Sequence, residues 1–317
     1  MFSPTTRRAS PHRPANRRPP SGDASQAFIA DPDMTTANAD QIAEWNGVLG
    51  HGWATMQAEI DAVVGPFGAA ALKVAAARSG ERVIDIGCGC GDTSVELARA
   101  VGAGGSVLGV DVSRPMLDVA RRRATQEGLD GTLSFSDADA SSAALPSAVD
   151  LLYSRFGVMF FDQPAQAFTH LRQSLRDGGR CVFVCWRAPR DNPWAMTPLM
   201  AARKALAVTP PPADPNAPGP FAFADDGRLR GILADAGFGG IAIDRFDTPV
   251  VVGPSPRAAA ESALRMGPTS RLAREVGAQH ADTILRAVES ALTPFAGADG
   301  QVRLTGSTWI VSATNGA

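Results

Sequence analysis

The stretch Glu81 to Ser94, reading ERVIDIGCGCGDTS, constrains the fold of this chain more than any other. Val83, Ile84 and Ile86 make a short β-branched apolar run that glycine stops abruptly, the pattern of a buried parallel strand feeding a tight turn. A helix is predicted directly behind it, with Val95, Leu97 and Ala98 periodic, Thr93 as N-cap and Glu96 completing a capping box. Gly87, Gly89 and Gly91 let the backbone approach a ligand, because no Cβ stands in the way and positive φ is open to them.

A dinucleotide fingerprint spaces its glycines G-x-G-x-x-G, whereas here the pattern is G-x-G-x-G with Asp92 where the third glycine would fall. That argues against NAD. A second apolar strand, Val107, Leu108 and Val110, ends in Asp111, twenty residues after Gly91. An acid at that strand end accepts both ribose hydroxyls of an adenosine, and a ligand with no phosphate at the turn uses the same geometry.

The runs VIDIGCGCG, GVDVS, FSDADA, VDLLYSRFGVMFF and LRDGGR together resemble the class I S-adenosylmethionine-dependent methyltransferases. Within them the chain looks most like the small-molecule enzymes related to ubiquinone and menaquinone biosynthesis. The resemblance runs from about residue 39 to the C-terminus, with Asp177 departing from the proline that relatives usually carry before Gly178 and Gly179. It implies S-adenosylmethionine as cofactor and a Rossmann-like α/β fold: a seven-stranded doubly wound sheet with one antiparallel strand, plus a helical cap insertion.

Carried over residue by residue, the resemblance puts the glycine motif, Asp85, Gly87, Cys88, Gly89 and Gly91, against the cofactor. Asp111 and Val112 meet its ribose, Met116 slides under the adenine, and Asp139 with Ala140 meets the adenine edge; Asp137 competes with Asp139. Ser154 follows the fourth strand, expected over 148–153, beside the departing methyl group, and Arg155, Phe156, Trp186 and Trp194 border the acceptor. Arg155 either pins an acidic group through a bidentate pair or bonds loop carbonyls. Relatives fold an aromatic N-terminal segment over the cofactor's methionine end, so Trp45 and Trp53 either shield the sulfonium or pack in the core, with packing the preferred reading for Trp45.

Several classes are excluded by composition. The net charge of −2 and the lack of a basic face argue against nucleic acid, and RRR at 121–123 reads as a solvated helix face. No apolar run reaches a membrane span, since Arg155 breaks the longest, so a soluble, cytoplasmic protein is expected. Cys88, Cys90, Cys181 and Cys185 read as reduced thiols, and no metal site is expected.

Residues 1–33, rich in Arg, Pro and Ser, are expected to form a disordered tail, and Met34 opens a stretch resembling the family's ordinary start. A helical cap follows over 34–78 and the cofactor-binding core over 79–195. Residues 196–290 read as a substrate-cap insertion carrying the proline-rich TPPPADPNAPGP and part of the last strands (241–252); residues 291–317 hold the strand that closes the sheet as a hairpin. Ser113 with Pro115, and Asp162, are predicted to start helices, and His170, about 200° round its helix from Phe168, is expected to face solvent.

A sulfonium makes its methyl carbon electrophilic, so alignment and exclusion of water carry most of the acceleration and a dedicated base is optional. His51, in GHGW, is the one histidine near the predicted pocket, as a base or as a surface or capping residue. The expected activity is methyl transfer to O, N, S or C of a small-molecule acceptor, a secondary metabolite or quinone-like compound. The alternative is a cofactor-binding sensor or scaffold without transfer. Neither the acceptor nor the oligomeric state is legible in the residues.

Overall fold

The expected strand, turn and helix at the glycine stretch are present and seed a layered α/β arrangement. A computed structural model describes residues 1–2, 39–209, 214 and 217–316. Residues 36–317 form one compact unit, distinct from residues 1–35. Residues 3–33 of the expected tail, the start at Met34 and half of the proline-rich segment lie outside the described residues.

In chain order the elements are α1 (Ala39–Asn46), α2 (Val48–Thr55), α3 (Gln57–Ala75), β1 (Arg82–Ile86), α4 (Asp92–Val101), β2 (Ser106–Asp111), α5 (Arg114–Gln126), β3 (Leu133–Asp137) and β4 (Val149–Arg155). They continue as α6 (Pro164–Ser174), β5 (Leu175–Trp186), α7 (Pro193–Leu206), α8 (Asp226–Asp235), β6 (Phe238–Gly253), α9 (Pro256–Arg265), α10 (Gly267–Val276), α11 (Ala281–Leu292) and β7 (Val302–Asn315). The seven strands run in the order 3-2-1-4-5-7-6. β7 is antiparallel to both β5 and β6, and the pairings from β3 through to β5 are parallel. This is the doubly wound sheet with one reversed strand that the sequence predicts. The order turns around between β1 and β4, where open α/β sheets bind ligands.

The central strands are buried on both faces, which is why they read as continuous apolar runs: Ile84, Leu151, Leu152 and Phe183 are all inaccessible. α3 and α8 join this main core through Phe67, Leu229 and Leu233. A second core of Leu199, Leu272, Ile284, Val288 and Leu304 unites α7, α10 and α11 with an end of β7. The three helices α9 to α11 lie between β6 and β7 in sequence, so the final antiparallel pair is joined by a helical excursion and not by a tight hairpin turn. Among the described residues no helix is long and apolar enough to cross a membrane.

Several local expectations differ from what forms. α4 starts two residues early with Gly91 as N-cap, because the Thr93 and Ser94 hydroxyls turn inward to donate to Asp85 Oδ2 at 2.8 and 2.6 Å. Ser113 does stand at the N-cap of α5, yet its hydroxyl donates to Trp45 O at 2.7 Å. α6 is capped by Gln163 and not Asp162, since Pro164 supplies its first turn. His170 is half-buried, its Nε2 2.8 Å from Ala143 O, so an apolar count around the helix misses a loop folded over that face.

Phe67 joins the layers. It is fully buried on α3 and meets Phe156, Trp186 and Phe246 edge-on at 5.0 to 6.0 Å. Phe67→Ala is expected to lower unfolding free energy in urea by about 3–5 kcal/mol, the range for a buried ring removed from a closed core. A loss below about 1 kcal/mol would show that α3 does not depend on this contact.

Candidate functional site

The turn after β1 is built so that its own amides are used. Gly87 and Cys88 donate to Val110 O, Gly91 donates to Cys88 O, and Gly89 donates to Asp111 Oδ2 at 2.8 Å. A turn with these amides spent differs from one that presents them to a pyrophosphate. All three glycines have positive φ, 65°, 54° and 80°. A Cβ would strike Gly157 Cα at position 87, Met116 at position 89 and Ala120 at position 91. The missing side chains therefore leave room for neighbouring protein at these three positions.

Asp85 lies beneath the turn, fully buried. Burial pushes its carboxyl up to about 6 despite the hydroxyl bonds from Ser94 and Thr93, and its Oδ1 has no hydrogen-bond partner. Ser154 is also buried: its hydroxyl donates to Ile86 O at 2.7 Å and accepts the Gly157 amide, clamping β4 to the end of β1.

A cavity of about 210 Å³ lies at the ends of β1, β2 and β4. Of the residues singled out in the sequence, Trp53, Gly87, Asp111, Val112, Met116, Asp139, Ala140, Arg155, Phe156, Trp186 and Trp194 line it. Asp85, Cys88, Gly89, Gly91 and Ser154 stand behind that wall and shape it. The Asp111 carboxylate accepts the Gly89 amide through one oxygen and the Ser113 amide through the other, at 2.8 Å each. Burial raises its pKa and these amides oppose the rise. Asp139 reaches the cavity, whereas Asp137 is held by Arg114 at the exposed end of β3.

His51 does not reach it. The side chain is exposed on α2, with Nδ1 2.9 Å from Gly47 O, because the helix turns its residue 51 away from the cavity that residue 53 lines. The reading of His51 as a base is withdrawn. Arg155 lines the cavity but has its donors committed: Nη1 meets Asp92 at 2.7 Å and Nη2 meets Asp61 at 3.1 Å. Arg123 bonds the same two acids, at 2.9 Å to Asp61 and 3.4 Å to Asp92, closing a ring of alternating charge between α3, α4, α5 and β4. Burial alone would lower the Arg155 pKa, but Asp92 and Asp61 outweigh it and raise it. Neither of the two arginine roles predicted, an acceptor clamp or a bond to loop carbonyls, is the one seen.

Other wall features go beyond what the sequence assigned to the site. Trp45, read as packing, lines the cavity and meets Trp53 and Phe160 edge-on at 5.5 and 5.4 Å. Ile60, Val63 and Val64 contribute the apolar face of α3; their periodicity was visible but not the surface it faces. Met266 to Pro268 arrive from the α9–α10 junction, where no local signal marks a binding wall. Phe156 adopts φ +63°, a strained conformation for a bulky residue that costs about 1–3 kcal/mol. The cysteines are buried, with burial pushing the Cys90 and Cys181 thiols up to about 12.

The match to a methyltransferase domain model covers residues 83–179. Aklanonic acid methyltransferase DauC of Streptomyces sp. (strain C5) is 34% identical over 120 residues, 38% of this chain and 54% of its own. The ubiquinone/menaquinone biosynthesis C-methyltransferase UbiE of Pseudomonas aeruginosa (strain LESB58) is 31% identical over 122 residues, 38% of this chain and 48% of its own. The matched region thus spans about half the length of these curated relatives. In fold, the chain is similar to a crystal structure of a putative methyltransferase from Bacillus halodurans C-125. That likeness has a TM-score of 0.52 at 16% identity and covers 79% of this chain and 99% of the other.

Asp85 offers a test of the site's electrostatics. Its folded pKa of about 6 stands above the ordinary 3.8, so the native chain holds an extra proton between these values and stability from this group falls as pH rises through them. Relative to Asp85→Asn, the wild type is expected to lose about 3 kcal/mol of unfolding free energy between pH 3.5 and 7.5. A difference independent of pH would contradict the burial of an uncompensated carboxyl.

Proposed function

We propose, from the premise that residues 83–179 are a class I S-adenosylmethionine-dependent methyltransferase domain, that the chain transfers a methyl group to a small-molecule acceptor by in-line displacement. The observation that carries the proposal is the joint placement of Asp111 and Asp139 in one cavity walled by Trp45, Trp53 and Phe160, beside a turn whose amides are already used within the protein. Bound S-adenosylmethionine supplies a methyl carbon made electrophilic by the sulfonium.

The residues fit that group. Asp111 accepts the ribose hydroxyls through the lone pairs its two amide bonds leave, and its orientation is fixed before the cofactor arrives. Asp139 and the Ala140 amide take the adenine edge, and Met116 packs under the ring. Trp53, with Trp45 edge-on to it, closes the methionine end and keeps water from the sulfonium. Gly87 brings the backbone to the same wall. Asp85 and Ser154 act from behind, one anchoring the start of α4 and the other the end of β4.

Phe156, Trp186 and Trp194 border the acceptor. Among the described residues the cavity wall carries no histidine, lysine or cysteine, so the chain is suited to orienting an acceptor whose nucleophile attacks without a dedicated base. A thiolate, a phenolate already ionised in water or a neutral amine meets that condition, whereas a neutral hydroxyl or a ring carbon must hand its proton to water or to another group. Release of S-adenosylhomocysteine, assayed over phenols, thiols, amines and quinols, tests the activity. Cofactor binding without turnover across the panel would favour a sensor.

The cofactor assignment is tested separately. Asp111→Ala is expected to weaken S-adenosylmethionine binding about 30-fold or more in calorimetric titration, as two charged hydrogen bonds are lost. Unchanged affinity would remove Asp111 from the ribose site.

A further inference from the structure

The ends of β4 and β5 close part of the cavity wall with rings, and one of those rings is held there at a cost. Phe156 follows β4 directly and stacks on Trp186, the last residue of β5, at 4.3 Å between centroids and 9° between planes. Its amide donates to Val184 O at 3.0 Å, which fixes the backbone in the positive-φ conformation of +63°. Non-glycine residues rarely occupy that region, and bulky ones least of all. A glycine or asparagine at this position would make the same turn without strain, so the turn itself does not require the ring.

The pair is braced from behind. Phe67 meets both rings edge-on, at 6.0 Å for Phe156 and 5.0 Å for Trp186. Trp194 tilts against Trp186 at 4.9 Å, and its indole N–H donates to Asn192 Oδ1 at 3.1 Å. Trp186 is only 5% exposed while Phe156 is half-buried, so the open aromatic surface of the stack belongs to Phe156. Among the described wall residues the only ionisable side chains are Asp111, Asp139 and Arg155. The two acids are those assigned above to the cofactor, and the arginine is neutralised by Asp61 and Asp92. A charged acceptor would leave water for this wall without gaining a counter-ion.

We propose that Phe156 is a specificity-determining residue: backed by Trp186, it forms a platform on which a planar, uncharged, unsaturated ring of the methyl acceptor stacks. The word acceptor rests on the methyltransferase reading, whereas the platform rests on the two rings, the backbone of Phe156 and the neutral wall. The strained backbone is what places the ring at the sheet edge, beside the turn at Gly87. Rings that stack gain attraction beyond area burial when both partners are flat and unsaturated. The wall should therefore separate an aromatic compound from its saturated analogue of the same skeleton.

The test is calorimetric titration of the full chain, with and without S-adenosylhomocysteine, using 2-naphthol, decahydro-2-naphthol and 2-naphthalenesulfonate. Wild type is expected to bind 2-naphthol about tenfold more tightly than either of the others. In Phe156→Gly, where glycine relaxes the backbone and a thermal melt checks the fold, the naphthol to decahydronaphthol ratio should fall close to one. A ratio near one in wild type, absence of binding by both compounds included, overturns the proposal, as does a ratio that survives in Phe156→Gly. Failure to bind S-adenosylhomocysteine counts instead against the function proposed above, and the titrations without it then decide the platform.

Discussion

The hydrogen bond from the Gly89 amide to Asp111 holds the site together, because it ties the turn after β1 to the end of β2 at 2.8 Å. The second Asp111 oxygen accepts the Ser113 amide, and the Ser113 hydroxyl in turn reaches Trp45 O. One carboxylate thus sets the turn, the start of α5 and, through Ser113, the position of α1. Asn46 extends the same connection: its side-chain amide donates to Val112 O at 2.7 Å and its oxygen accepts the Arg114 amide. The helices that wall the cavity on one side are registered against the loop that carries its central acid. A binding group oriented in advance by backbone amides loses little freedom when a ligand arrives.

A second constraint acts on the other side of the turn. Asp61, Arg155, Asp92 and Arg123 alternate in sign around a ring, joining α3, β4, α4 and α5. Burial raises the Asp61 pKa, with Arg155 pulling the other way. Such a ring contributes little net stability compared with apolar packing, but loss of one member leaves a buried charge unmatched. Its consequence here is geometric. The Arg155 side chain runs under α3, where a Cβ on Gly68 would approach its Cδ to 2.9 Å, and it holds α3 against the cavity while neutralising itself. The cavity wall beside Phe156 and Trp186 is left to aromatic and aliphatic side chains.

Most of the sheet was legible in the residues, because buried strands announce themselves as short apolar runs ended by glycine or an acid, as at Ile86 and Asp111. Part of the cavity wall was legible through the family resemblance: Asp111, Met116 and Asp139, carried over on their motifs, all line it. The partners of side chains were not. Thr93 looks like a cap until a buried Asp85 competes for its hydroxyl. Arg155 looks like a clamp until Asp61 and Asp92, 94 and 63 positions away, are brought to it by the fold. His51 stands close to Trp53 in sequence, yet the helical turn sends the two in different directions. Met266 to Pro268 reach the wall only because α9 to α11 are inserted between β6 and β7, a long-range arrangement with no local signature.

On the proposed function, one cavity, defined by the glycine turn, Asp111 and Asp139, takes the cofactor. Amide hydrogen exchange on the full chain with and without S-adenosylhomocysteine tests that placement. Added protection is expected at residues 87–91, 111–116 and 138–141, together with α1 and α2, whose register depends on Asp111. Protection confined to other segments, or none at saturating ligand, would contradict the placement.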